Sequence, residues 1–285
     1  MTNQMKAKLE QYAALTVRRG VNVAEGQTVC VSCPVGAAEF GRMVADAAYD
    51  AGAREVVMLW NDEKSSRMKY MRSPLEVFES VPEWAEMQRN GYARGGAAMI
   101  HIISEDPDAL AGVDGAKLIA ATRAGHAAYK EYYERVDHGE VRWSIVAYPC
   151  AEWARRVYPG LSDNAATEML WRRIFETVRI GRGDPAVKWE KHDRILKGRA
   201  KKLNSLNFSA LRCENSLGTS ITVGLADRHI WKGGSDRSAD GRDYFPNMPT
   251  EEIFTMPHRE HVDGIVYSAL PLSERGQLID KFWLR

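Results

Sequence analysis

Long apolar runs are the first thing this chain lacks. Nowhere do roughly 18 apolar residues follow one another, the length a membrane-spanning helix requires. Cysteine is scarce as well: four in 285 residues make no disulfide framework of the kind that staples small secreted domains. The opening residues MTNQMKAKLE hold no apolar core of a signal peptide, so the expected compartment is the cytoplasm. An excess of one charge sign is missing too. With 39 basic and 38 acidic residues and a net charge of +1, no long-range field draws the chain to nucleic acid or to an anionic membrane, and neither is expected as a partner.

What is present is an ordinary globular composition, 45% hydrophobic and 27% charged, enough to bury a sizeable core and more than one typical domain in length. The basic cluster KGRAKK at 197–202 has no interleaved aromatics and reads as a solvated helix face rather than a nucleic-acid site. Cys30 and Cys33 form a C-x-x-C, a spacing that can mean redox chemistry or zinc. Here it lies inside TVCVSCP, a buried-strand pattern leaving at a proline, with no second ligand pair nearby. Core cysteines are the expectation.

The chain then alternates. An amphipathic helix is predicted over 5–19, and a strand over 28–32. A helix follows over 36–50, with Phe40, Met43, Val44, Ala47 and Ala48 at helical spacing, then Gly52 as its C′ residue and a strand over 55–60. Strands over 97–103 and 144–148, a turn at 107–111, and helices over 116–130 and 164–180 continue the pattern, which implies a doubly wound α/β domain over residues 1–204. The turn after the first strand, CPVGAA, has one glycine and no Walker lysine, so it cradles no phosphate. Beyond a basic helix ending near 206, segments at 208–213, 220–224, 262–269 and 278–283 read as strands. Residues 205–285 are therefore expected to be the start of a β-rich α+β domain. The chain ends on FWLR, inside an apolar strand, which leads us to expect that strand partners are missing and that this domain is incomplete.

One segment carries the candidate chemistry: GRDYFPNMPTEEIFTMPH at 241–258. Its three prolines fix φ and remove donors, so rigid irregular backbone is expected. It holds two adjacent carboxylates, Glu251 and Glu252, beside apolar Ile253 and Phe254. Preset geometry against an apolar wall suits a metal ligand. A loop capped by Thr250 with two solvated glutamates accounts for the same residues. His258 and His261 do not decide between them, because neither has the spacing of a helical histidine pair.

Residues 247–257, NMPTEEIFTMP, resemble the N-[LMI]-P-[TS]-[EG]-E-[VI]-[FY]-T-x-P signature of the M29 aminopeptidases, the aminopeptidase T and S type. The segment GTSITVGL at 218–225 with His229-Ile230-Trp231 resembles the strands that precede the signature in that family. Val262–Val266 and the region of Pro271 resemble the family's stretch on its C-terminal side, and EGQTV at 25–29 extends the likeness to the N-terminal half.

The resemblance implies a peptidase that removes N-terminal residues from peptides with a free N-terminus. Its centre would hold two divalent metal ions (zinc, cobalt or similar) that activate a water and stabilise the oxyanion. It implies Glu252 as one metal ligand, with Glu251 an accessory charge, and a homodimer. The family's remaining ligands, a second Glu, two His, a Tyr and an Asp, have no counterparts in these 285 residues, and His258 and His261 fall too close to Glu252 to be the family's histidines. A lone carboxylate holds a divalent ion weakly, so the expectation is that these residues alone are inactive. A non-catalytic α/β ligand-binding or assembly module that keeps the scaffold is the alternative. A nucleotide-binding oxidoreductase is a further reading that rests on the βαβ pattern and lacks the glycine fingerprint.

Overall fold

In the computed structural model the described residues are 2–274 and 277–285, with no side-chain detail over 270–278, so the resemblance noted at Pro271 lies outside the described side chains. The first helix, α1 (Asn3–Leu15), is started by Thr2, whose Oγ1 accepts from the Met5 N–H at 3.2 Å. Its Leu9, Tyr12, Ala13 and Leu15 turn inward at helical spacing, and a π turn over Thr16–Gly20 ends it. Next come β1 (Thr28–Pro34), α2 (Ala38–Asp50) and β2 (Glu55–Asn61). Between α2 and β2, Gly52 takes φ +95°, a left-handed conformation that favours glycine, and leaves its Cα face open to the Glu25 carboxylate.

The order continues with α3 (Glu63–Arg72), α4 (Glu83–Arg94), β3 (Ala98–Ile103), α5 (Gly115–Ala128), α6 (Lys130–Asp137), β4 (Trp143–Ala147), α7 (Ala151–Val157), α8 (Asp163–Thr177) and α9 (Pro185–Leu206). After these the chain is strand-rich: β5 (Ala210–Glu214), β6 (Ser220–Leu225), β7 (Lys232–Gly233), β8 (Asp236–Arg237), β9 (Asp243–Tyr244), β10 (Asn247–Met248), β11 (Ile253–Phe254), β12 (Pro257–Glu274) and β13 (Gln277–Leu284). By contacts, Met1–Trp189 with Ser235–Thr250 form one compact unit, and Glu190–Gly234 with Glu251–Arg285 form another. The pattern of helices and strands suggests one boundary, at 204/205; the chain instead crosses between the units three times and returns 235–250 to the first.

The first unit is an α/β sandwich on a sheet ordered β10-β4-β3-β1-β2, with every pairing parallel. Parallel neighbours need crossovers, and the helices supply them on both faces. One face of β1 sends Val29, Val31 and Cys33 into a core shared with Phe40, Val44, Ile100, Ile102 and Trp171. The other sends Cys30 into a smaller cluster with Ala93, Met99, Tyr132 and Val141.

That alternation decides the C-x-x-C. Residues three apart on a strand face opposite sides, so Cys30 and Cys33 lie in different clusters and cannot bridge or share an ion. Burial pushes their thiols up to about 12 and about 11. In the native protein a thiol reagent at neutral pH is expected to label exposed Cys213 while leaving Cys30 and Cys33 unmodified until denaturant is added. Mass spectrometry of quenched samples checks this; early labelling of Cys30 or Cys33 would contradict the packing.

The second unit carries an antiparallel sheet ordered β13-β12-β6-β5 and the short antiparallel pair β11–β7. Ala200, Leu225 and Trp231 form its core, with Leu203, Leu211 and Ile253 packed against them. The basic stretch expected to be a solvated face is one: Lys197, Arg199, Lys201 and Lys202 are exposed on α9, while Leu196 and Ala200 turn inward. No helix among the described residues is long and apolar enough to cross a membrane.

Candidate metal-ligand segment

The expected irregular backbone over 241–258 is interrupted by two-residue strands, and it is tied down in both units. In the first, β9 pairs with β8, and the Phe245 N–H donates to the carbonyls of Arg19 and Gly20 at 3.1 and 2.9 Å. The Ser144 hydroxyl donates to the Phe245 carbonyl at 2.8 Å, and the Ile145 N–H donates to the Pro246 carbonyl at the same distance. β10 then adds to the edge of β4, Asn247 opposite Ile145 and Met248 opposite Val146, with Met248 1% exposed. The Met248–Pro249 peptide is cis.

Upstream, Arg142 is 4% exposed and fans out to three acceptors: the Val21 carbonyl at 2.9 Å, Gln27 Oε1 at 2.7 Å, and the carboxylate of Asp240. Burial alone would raise the Asp240 carboxyl, but hydrogen bonds from Ser238 and Arg142, with the guanidinium charge, hold it below the usual carboxylate range.

In the second unit the segment continues as β11, Ile253 opposite Gly233 and Phe254 opposite Lys232. Ile253 packs on the core around Trp231, and the Thr255 hydroxyl donates to the Ile230 carbonyl at 3.0 Å. The close approach depends on Gly233. A Cβ there would lie 2.7 Å from the Glu252 carbonyl oxygen and 2.6 Å from an Ile253 methyl, so any side chain would push the Glu252 backbone away. Both glutamates are exposed, but they are not equivalent. The Glu251 carboxylate lies 3.4 Å from Nε2 of His192 on α9. Among the described residues no hydrogen bond or ion pair engages the Glu252 carboxylate. Sequence reasoning passed over His192, which stands some sixty residues upstream in a helix whose pattern signals only amphipathicity.

His258 and His261 come together with their rings stacked, centroids 3.9 Å apart and planes 12° from parallel. Stacked rings direct their nitrogen lone pairs in parallel planes rather than toward one point, so the pair is a poor two-nitrogen ligand. No group of three or more His, Cys, Asp or Glu that could hold a metal ion occurs among the described residues. In the first unit, burial of His101 on β3, with the charge of Arg89 adding, pushes it down to about 4, so at neutral pH it is an uncharged imidazole.

On a mixed α/β scaffold with a parallel sheet, the run N-x-P-T-E-E starts in β10 and ends in the irregular stretch before β11. The model of the thermophilic metalloprotease (M29) family matches residues 5–285, and the chain belongs to that family. Membership implies dependence on divalent metal ions. The chain is 37% identical over 277 residues to Aminopeptidase AmpS of Bacillus subtilis, covering 97% of this chain and 67% of that protein. It is 36% identical over 280 residues to Aminopeptidase T of Thermus thermophilus, covering 98% and 68%. The solved structure of wild-type AmpT from Thermus thermophilus matches with a TM-score of 0.88 at 36% identity, over 99% of this chain and 69% of that one. The doubly wound reading of the fold stands on that match as well as on the sheet order.

Proposed function

We propose that the chain serves metal-dependent removal of N-terminal residues from peptides, with Glu252 as one carboxylate ligand of a two-ion centre. The observation that carries this is the state of Glu252 within the family signature. Its backbone is held against Gly233 by the β11–β7 pairing while its carboxylate stays in solvent with no competing partner among the described residues. A preset backbone with an uncommitted oxygen donor is what a hard or borderline divalent ion selects. When bound, such ions supply an activated water and charge stabilisation for the oxyanion.

A complete shell of about five or six protein ligands is another matter. The described residues assemble no such group around Glu252, and they do not by themselves fit a two-ion centre. We therefore also infer that these 285 residues, taken alone, turn over no aminoacyl substrate. The test compares this chain with a full-length relative such as aminopeptidase T, on an aminoacyl chromogenic substrate with added Zn²⁺ or Co²⁺. The expected rate for the chain is background, at least about a thousandfold below the relative, since loss of a metal-activated nucleophile removes the principal catalytic term. Turnover within tenfold of the relative would overturn the inactivity, and turnover that survives Glu252→Gln would overturn the ligand role.

A further inference from the structure

Three elements of the first unit wall a cleft of about 780 Å³ on the side where β1 and β2 begin. One wall is a stripe of α1 that runs on past its π turn: Gln11, Ala14, Leu15, Arg18 and Asn22 recur at helical spacing. The Val21 N–H closes that turn by donating to the Thr16 carbonyl at 3.0 Å, and such local widenings of a helix often mark functional sites. The second wall is the carboxyl end of α2, where Tyr49, Asp50 and Gly52 meet Glu25. The Gly26 N–H donates to the Gly52 carbonyl at 2.8 Å, and the Glu25 carboxylate folds over the bare Cα of Gly52. Residues 184–186, at the start of α9, are the third wall.

The charges bordering the cleft are not equivalent. Asp184 is committed as a cap, its Oδ1 accepting from the Ala186 N–H at 2.8 Å. Arg18 on the first wall and Glu25 and Asp50 on the second are different: among the described residues no hydrogen bond or ion pair engages any of these three side chains. Elsewhere on this surface opposite charges that share a face do meet, as Arg155 does with Asp163 and Arg172 with Glu168, both at 2.7 Å. Opposite charges that border one cleft without touching leave room for a molecule that carries both signs.

We propose that this cleft binds a small zwitterion with well-separated charges, a peptide of two or three residues with both ends free. Its carboxylate meets the Arg18 guanidinium, which offers paired N–H donors to a planar anion. Its ammonium meets Asp50 and Glu25 beside the last carbonyls of α2, the end of a helix dipole that favours a cation. Size agrees, since clefts of several hundred cubic ångströms take small organic ligands, and a single amino acid would leave most of this one to water. An extended chain advances about 3.3–3.6 Å per residue, so the ends of a short peptide stand apart as the charges of one amino acid do not. Arg18, Glu25 and Asp50 are exposed, so solvent screens each contact and the affinity is low, in the millimolar range. The cleft shares no residue with the signature at 247–257, and the proposal does not depend on Glu252 being a metal ligand.

The experiment titrates the isotopically labelled 285-residue chain with trialanine in EDTA and follows amide chemical shifts, the same spectra showing the peptide intact. Saturable shifts are expected over residues 14–25, 49–52 and 184–186, with the β4 amides unmoved. N-acetyl-trialanine and trialaninamide, each lacking one charge, should bind about fivefold more weakly, the loss of one charged hydrogen bond. Arg18→Gln should weaken trialanine by the same factor and leave trialaninamide unaffected, because the two changes remove one contact. Asp50→Asn combined with Glu25→Gln should do the converse, weakening trialanine and leaving N-acetyl-trialanine unchanged. All three side chains are exposed, so these variants are expected to fold, and the blocked peptides test the proposal with no substitution at all. Absence of saturable shifts at these amides up to about 20 mM, or blocked peptides that bind as well as trialanine, would overturn the zwitterion site. Binding that ignores both variants would overturn the assignment to Arg18, Asp50 and Glu25. No readout involves a metal ion or turnover, so this site and the peptidase reading stand or fall separately.

Discussion

Replacing Arg142 by alanine is expected to cost about 2–4 kcal/mol of stability, a large fraction of what holds a typical domain folded. The magnitude follows from burial and from what would be orphaned. At 4% exposure the guanidinium is out of solvent, and it satisfies the Val21 carbonyl and Gln27 Oε1. Gln27 is itself committed, accepting from Ala24 at 3.0 Å and donating to the Gly96 carbonyl at 2.8 Å, so it cannot turn to find another donor. Removal of the arginine leaves the Val21 carbonyl without this donor and Gln27 Oε1 with the Ala24 N–H alone, while the half-exposed Asp240 carboxylate loses its partner but keeps solvent. The partner change should be far milder. Asp240 has a side chain 49% exposed, so Asp240→Asn is expected to cost about 1 kcal/mol, in the range of solvent-accessible ion pairs. Urea unfolding followed by tryptophan fluorescence measures both. A loss below 1 kcal/mol for Arg142→Ala would show that the cluster is ornamental.

The second large effect is expected at Trp189, the largest of the fully buried side chains. Its ring meets Phe245 edge-on with centroids 4.9 Å apart, and its indole N–H donates to the Val178 carbonyl at 2.9 Å. Trp189→Ala should destabilise by about 3–5 kcal/mol, combining lost transfer energy with an unfilled cavity. Trp189→Phe keeps most of the apolar volume, loses the hydrogen bond, and should cost roughly 1–3 kcal/mol. The two variants separate cavity from polar contributions in thermal unfolding. Equal losses would mean that the Val178 carbonyl, not the packing on Phe245, dominates the site. Both Arg142 and Trp189 act on the stretch 235–250 that leads into the signature, so their loss should loosen Phe245 and Met248 before it disturbs β1.

Much of the fold was legible because its signals are local. Runs such as TVCVSC and AMIHII can only be buried strands, and the spacing of Phe40, Val44 and Ala48 names the inward face of α2. The helices between β2 and β3 were not read. α3 buries no side chain, and α4 buries only Asn90 and Ala93, so neither writes a clear apolar stripe. β10 could not be anticipated either, since two residues pairing with β4 a hundred positions away leave no periodic mark. Glu252 was found through the resemblance of its signature, because two glutamates in a proline-rich loop fit a solvated surface equally well. His192 was invisible for a different reason: its contact with Glu251 is created by the fold, between residues whose local patterns say nothing of each other.

The return of 235–250 to the first unit has a consequence for synthesis. Phe245 and Met248 belong to the core that α1, β1 and α8 enclose, and they leave the ribosome long after those elements. Until residue 248 has emerged, the exposed edge of β4 has no strand beside it, the Ser144 hydroxyl has no Phe245 carbonyl to meet, and the Arg142 guanidinium has no Asp240. The nascent chain must carry an open sheet edge while 190–234 are being translated, an interval in which edge-to-edge association competes with folding. A chain cut at the helix-to-strand change near 205 would remain in that unfinished state permanently.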